Sequence, residues 1–178
     1  LIKKIIMADK NLLKDLAKIK LLALDFDGVM TDGCVYVDQN GKESVRCSRR
    51  DGMGIGILKR NGVEVCVIST EKNPVVSARC CKLKIPCTQS VKGDGGKVGV
   101  LRGFAKDYSL SMQEVVYVGD DVNDLEALKI AGVSMTVADG HALLKKICRY
   151  VTKAKGGDHA VREICELILK AKKIKPKY

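Results

Sequence analysis

Short apolar runs alternate along the chain with segments whose apolar residues recur every three to four positions. "KLLALDF" (20–26), "VEVCVIS" (63–69), "EVVYVGD" (114–120) and "VSMTVAD" (133–139) read as strands. Between them "GMGIGILKRNG" (52–62), "KVGVLRGFAKDY" (97–108) and "GHALLKKICRY" (140–150) read as helices. So do "NPVVSARCCKLK" (73–84), with Pro at its opening, and "NDLEALKIAG" (123–132), with Gly at its end. "DHAVREICELILKAKK" (158–173) predicts a closing amphipathic helix. "CVYVD" and "ESVRCS" flank "QNGK", and an Asn-Gly turn between alternating segments predicts a hairpin. Strands rich in Val, Ile and Leu that alternate with helices predict a doubly wound, mostly parallel α/β sheet. No repeat or linker divides it. The expected organisation is an N-terminal segment or helix over 1–19, one domain over 20–170 and a basic tail over 171–178.

Composition narrows the class without naming a function. The 178 residues suffice for one core, and 46% hydrophobic with 30% charged residues is ordinary for a globular chain. No apolar run approaches the roughly 20 residues that span a bilayer. The lysine-studded opening segment lacks the apolar stretch and cleavage pattern of a signal peptide, so a cytoplasmic protein without membrane partners is expected. Residues 1–6, ahead of Met7, are given no functional weight. Lys and Arg number 32 against 21 Asp and Glu, a formal charge of +11. The lysines are spread out, and neither RNA-binding aromatics nor zinc-finger spacings accompany them, so nucleic acid is not the expected partner. None of the eight cysteines forms a C-x-x-C pair, and reduced thiols are expected.

Chemistry enters where the strands end. In such sheets reactive groups gather at the carboxyl ends of strands. The first strand delivers Asp25 and Asp27, the second Ser69, and "VVYVGDDVND" delivers Asp120, Asp121 and Asp124. Period-two alternation places Asp25 and Asp27 on one side with Phe26 opposite. Carboxylates converging on one point repel unless a cation joins them, and a few carboxylates with waters and substrate oxygens are how Mg²⁺ is held. Ser69 is placed to donate to a phosphate oxygen, and a lysine to neutralise it.

In order and spacing these features resemble the haloacid dehalogenase superfamily of phosphatases, over roughly residues 20–170. "DFDGVMTDG" matches the first motif, "VIS" the second and "VGDDVND" the fourth. The resemblance implies a Rossmann-like fold with Asp25 as nucleophile, forming an aspartyl phosphate, and Asp27 as general acid and base. It implies Mg²⁺ bound by the Asp25 carboxylate, the Asp27 backbone carbonyl and Asp120, with Asp121 and Asp124 in support. The third motif departs from the usual pattern. "SVKGDGGKVGVL" is long and glycine-rich, and Lys97 is preferred to Lys92 because it opens the helical pattern as the family lysine does.

The spacing from Asp27 to Ser69 holds only the hairpin and one helix, and that from Ser69 to Lys97 one helix and a short strand, so no cap domain fits. "TDGCVYVDQNGKESVRCSRRDGMGIGIL" and "AKGGDHAVREICELIL" resemble the cap-less phosphatases of 3-deoxy-2-keto sugar acids. That likeness implies a homotetramer, with the hairpin (34–48) as a flap packed on neighbouring subunits. The segment around Gly156 and Arg162 is then expected near the acidic site of another chain. "STEK" at the second motif resembles the nonulosonate 9-phosphate phosphatases more than the 3-deoxy-D-manno-octulosonate 8-phosphate phosphatases, and that likeness implies a nine-carbon substrate, with Glu71 and Lys82 facing it. Two other classes compete. A response-regulator receiver lacks the D-x-D and the flap. A non-catalytic assembly domain, like that of animal sialate cytidylyltransferases, has decayed motifs, whereas Asp25, Asp27 and Asp120 are all present here.

Overall fold

The computed structural model describes residues 10–92 and 95–175. At its centre is a six-stranded parallel sheet formed by β1 (Leu21–Leu24), β4 (Glu64–Ile68), β5 (Cys87–Thr88), β6 (Val115–Gly119), β7 (Val133–Thr136) and β8 (Tyr150–Val151). Their spatial order is β5-β4-β1-β6-β7-β8. β1 pairs in parallel with both β4 and β6, Leu24 lying beside Val67 and Val118. The strand ends carrying the acids are therefore neighbours.

Alternation along each buried strand divides the core in two. Leu22, Leu24, Val65, Val67, Val116 and Val118 face one layer, and Leu21, Ala23, Cys66, Val115 and Tyr117 face the other. The first layer is built from α1 (Lys10–Leu16), α2 (Arg49–Arg60), α3 (Val75–Leu83) and α7 (Ala160–Ala171). The second is built from α4 (Gly96–Asp107), α5 (Leu125–Ile130) and α6 (Ala142–Ile147). Helices on both faces explain why the strands are apolar throughout. Among the described residues no helix is long and apolar enough to cross a membrane.

Several expectations shift in detail. α1 belongs to the core rather than preceding it, since Leu12, Leu16 and Ile19 are buried. α2 begins at Arg49 because the Ser48 hydroxyl accepts the Arg50 and Asp51 N–H groups, the usual N-cap arrangement. The helix expected over 140–150 ends at Ile147, and Tyr150 starts the edge strand β8. Part of the expected basic tail packs inward through Ile174, while residues 176–178, residues 1–6 and Gly93–Asp94 of the third-motif loop lie outside the described residues.

The hairpin forms as an antiparallel pair, β2 (Thr31–Val37) with β3 (Glu43–Cys47). It stands apart from the main sheet as its own two-stranded sheet. Val35, Tyr36 and Val37 are more than half exposed on it. Among the described residues no cap domain is inserted; only the hairpin and α2 separate β1 from β4, and only α3 separates β4 from β5.

Candidate active site

β1 ends against the cleft. Asp25 follows its last residue and is 4% exposed. The Asp25 Oδ1 atom accepts the Phe26 N–H at 2.7 Å, while Oδ2 accepts Lys97 Nζ at 2.8 Å. Phe26 packs with Leu22 and Leu24 on the opposite face, as period-two alternation requires. The turn beyond is closed by Thr31, whose buried hydroxyl accepts the N–H groups of Gly28 and Gly33. Gly28, at φ +72°, admits no side chain, because a Cβ there would lie 1.9 Å from Asp120 Oδ2. This glycine lets the first acidic loop close onto the second.

α4 starts at the carboxyl edge of the sheet, so its second residue, Lys97, points among the acids. Lys97 Nζ lies 2.8 Å from Asp25 Oδ2 and 2.6 Å from Asp124 Oδ1. Lys92 is exposed. Asp124 is fully buried and both its oxygens are engaged. Oδ1 accepts Lys97 and the Tyr117 hydroxyl (2.7 Å), and Oδ2 accepts the Asp120 N–H at 3.0 Å. Asp124 thus holds the lysine and shapes the Asp120 loop. Tyr117 was not anticipated from sequence; a lone tyrosine within an otherwise aliphatic strand is its only signal. Asp121 caps the 3₁₀ turn Val122–Asp124 by accepting the Val122 N–H.

A cleft of about 310 Å³ opens over these groups, lined in part by Asp25, Asp27, Gly28, Thr70, Asp120 and Asp121. Carboxylate oxygens of Asp25, Asp120 and Asp124 lie within 4.8 Å of one another. The donors are hard oxygens, suited to a small divalent cation. With Asp124 already committed to Lys97, Tyr117 and backbone, Asp25 and Asp120 are the carboxylates with capacity to spare.

The electrostatics of these carboxyls suit a site that binds a cation. Burial, then Asp124, pushes the Asp25 carboxyl well above the usual range. Burial, reinforced by Asp124 and Asp121, raises Asp120 to about 7. Asp27 is raised by burial and by Glu71. Burial alone would lower the Lys97 ammonium, but Asp25 and Asp124 outweigh it and its pKa is raised. It stays charged.

Ser69 directly follows β4 and is buried; its hydroxyl accepts the Glu71 N–H at 3.0 Å, leaving its proton to donate elsewhere. Glu71 turns its Oε1 to the N–H groups of Lys72 (2.6 Å) and Asn73 (2.8 Å), ahead of α3. Lys82 is exposed near the far end of α3, about 10 Å along the helix from Val75 at 1.5 Å per residue. Gly156 and Gly157 rest on the chain's own residues 28–32, with the Gly157 N–H donating to the Val29 carbonyl.

The sequence model of haloacid dehalogenase-like hydrolases matches residues 58–164. The chain belongs to that family. Among relatives of this hydrolase, 3-deoxy-D-manno-octulosonate 8-phosphate phosphatase KdsC of Escherichia coli K12 is 39% identical over 153 residues, 86% of this chain and 80% of the relative. The Moraxella catarrhalis 3-deoxy-D-manno-octulosonate 8-phosphate phosphatase, crystallised with magnesium ion, phosphate ion and a KDO molecule, superposes with a TM-score of 0.85. It is 34% identical, covering 92% of this chain and 94% of that one. The cobalt-bound Haemophilus influenzae enzyme matches with a TM-score of 0.84 and 31% identity over 89% and 92% of the two chains. This family member is a phosphatase, with the α/β sheet and hairpin of those structures.

Proposed function

We propose that the chain hydrolyses 3-deoxy-D-manno-octulosonate 8-phosphate through an aspartyl-phosphate intermediate. The observation that carries the chemistry is the meeting of Asp25 and Asp120 at one cleft, with buried Lys97 bonded to Asp25. The substrate follows the relatives, whose names specify the eight-carbon sugar acid. This reverses the order expected from "STEK". The nine-carbon expectation came from the likeness of "STEK" to the nonulosonate phosphatases; Glu71 Oε1 accepts the Lys72 and Asn73 N–H groups, and Lys82 is exposed on α3.

In this mechanism Asp25 attacks phosphorus, and the departing sugar hydroxyl takes its proton from Asp27. Asp27 then removes a proton from water, which attacks the aspartyl phosphate and restores Asp25. The raised Asp27 carboxyl keeps a protonated fraction for the first half-reaction. Lys97, fixed between Asp25 and Asp124, lies beside the incoming phosphoryl group and offsets its charge. Asp25, the Asp27 carbonyl and Asp120 would hold Mg²⁺, which when bound offsets the negative charge of nucleophile and phosphate. Ser69 would donate to a phosphate oxygen, with Asp121 supporting the Asp120 loop. A homotetramer would cover the exposed apolar flap at Val35, Tyr36 and Val37.

The deciding measurement is kcat/KM for the octulosonate 8-phosphate and a nonulosonate 9-phosphate with Mg²⁺. The octulosonate is expected to be the better substrate by about tenfold or more, the scale of one hydrogen bond to a charged group. A clear preference for the nonulosonate would reverse the assignment.

The acids also predict how the cation couples to stability. Asp120 has an ordinary value of 3.8 and is raised to about 7 in the fold. Between those values the folded chain binds a proton that the unfolded chain has released. The cation-free fold therefore loses stability as pH rises through that window. Mg²⁺ binds the ionised acids and removes the penalty. Its addition should raise Tm clearly near pH 8 and much less near pH 5.5. An equal or larger rise at the lower pH would contradict the assignment of the cation to these carboxylates.

A further inference from the structure

The loop between β8 and α7 crosses beneath the nucleophile loop and touches it backbone to backbone. A Cβ at Gly156 would lie 1.7 Å from the Gly28 carbonyl oxygen. One at Gly157 would lie 2.4 Å from the Asp32 nitrogen. The Gly157 N–H donates to the Val29 carbonyl at 3.1 Å. Gly28 in turn rests against the Asp120 carboxylate. A shift of this strap therefore passes through Gly28 to the two acids that must meet at the cation.

Carboxylates outside the cleft fasten the strap, each accepting backbone N–H groups. Asp139 Oδ1 accepts Gly156 N–H at 2.9 Å. Glu163 accepts the N–H groups of Lys153 and Ala154 at 3.0 Å. Asp51 accepts Arg162 N–H at 2.8 Å, in the first turn of α7. Asp139 is the one that also reaches back to the second acidic loop. Two residues on, the His141 N–H donates to the Asp120 carbonyl at 2.7 Å. The turn carrying Asp139 is thus tied to Asp120 on one side and to Gly156 on the other.

We propose that Asp139 is a positioning residue for the phosphatase reaction, setting the nucleophile loop against Asp120 through Gly156 and Gly28. It touches no reacting atom. Its requirement is an acceptor oxygen, not a charge. This inference rests on the phosphatase reading above.

The test compares Asp139→Ala with Asp139→Asn in the full chain, using p-nitrophenyl phosphate and the octulosonate 8-phosphate with Mg²⁺. The alanine variant is expected to lose kcat on the order of tenfold with KM within about twofold, since small misplacements of reacting groups cost rate rather than binding. The asparagine variant keeps an acceptor for Gly156 and should recover most of the rate. Amide exchange at Gly156 and Gly157 should quicken in the alanine variant, and Mg²⁺ affinity by calorimetry should fall. Wild-type kcat in Asp139→Ala, or equal losses in both variants, would overturn the proposal. If the wild type hydrolyses neither ester, the functional reading fails on its own. The strap is then judged by exchange and Mg²⁺ affinity, and no change in either overturns it. Gly156→Ala adds a stronger perturbation: should it fold and keep full activity, the strap has no positioning role.

Discussion

Asp25→Asn is expected to lower kcat on the order of 10⁴-fold or more while leaving the fold intact. The substitution keeps the shape of the side chain and its Oδ1 acceptor for Phe26 N–H. It removes the carboxylate proposed as nucleophile, and loss of a nucleophile costs this scale of rate. A purely structural role for Asp25 predicts the opposite pattern, with stability falling and activity falling only as far as folding does. The environment makes the contrast sharp. Burial and Asp124 push the Asp25 carboxyl well above its usual range, so its ionised form is unfavourable in the cation-free fold despite Lys97. A neutral isostere removes that penalty. Its amide nitrogen replaces the Oδ2 acceptor of Lys97 Nζ, which keeps Asp124. The two effects oppose each other, so without Mg²⁺ near pH 8 the variant should melt close to the wild type. Thermal unfolding paired with Mg²⁺-dependent phosphate release checks both halves. A folded variant with near wild-type turnover would remove Asp25 from the nucleophile role.

The acidic constellation was legible because its signal is local. Carboxylates directly after apolar runs can be read without knowing how the strands pair, and parallel pairing of β1 with β4 and β6 then brings them together. Lys97 was legible through its place at the start of a helical pattern, despite the unusual loop before it. Other features depend on partners distant in the chain. α1 alternates lysine and leucine like many leading segments, and only α7 and the sheet make its leucines core residues. β8 is two residues long, too short to carry a period. Asp139 and Glu163 act on backbone N–H groups, which have no residue identity for a pattern to detect. The Gly-Gly pair was visible as a motif, and its tight contact with Gly28 explains why no side chain stands there. The choice between an eight- and a nine-carbon substrate had less to rest on, for a related reason. Glu71 near a helix start is as well suited to the backbone as to a ligand, and the structure gives its Oε1 to Lys72 and Asn73.

Lys97→Met should damage both stability and turnover, unlike Asp25→Asn. The methionine matches the lysine stem in length, so packing around α4 is largely kept. What disappears is the one ammonium bridging Asp25 and Asp124, at 2.8 and 2.6 Å. All three side chains are nearly inaccessible to water, with exposures of 3%, 6% and 0%. Solvent cannot replace the lost partner. Removing one member of a buried ion pair costs about 3–5 kcal/mol because the remaining charge is left unpaired. Such a loss should appear in urea unfolding near pH 8 without Mg²⁺. Asp25, already held well above the usual range, loses its cation and is driven further toward its protonated form. The loss should therefore shrink near pH 5.5, where that proton is supplied more readily. Catalysis should lose the group proposed to offset phosphoryl charge, an effect on the order of 10²- to 10³-fold in kcat. Mg²⁺ should restore part of the stability, since it also neutralises Asp25, but not the rate. A Lys97→Met variant as stable as the wild type near pH 8 would show that Asp25 and Asp124 are not both charged in the fold, and the electrostatic account of the site would have to be rebuilt around a shared proton.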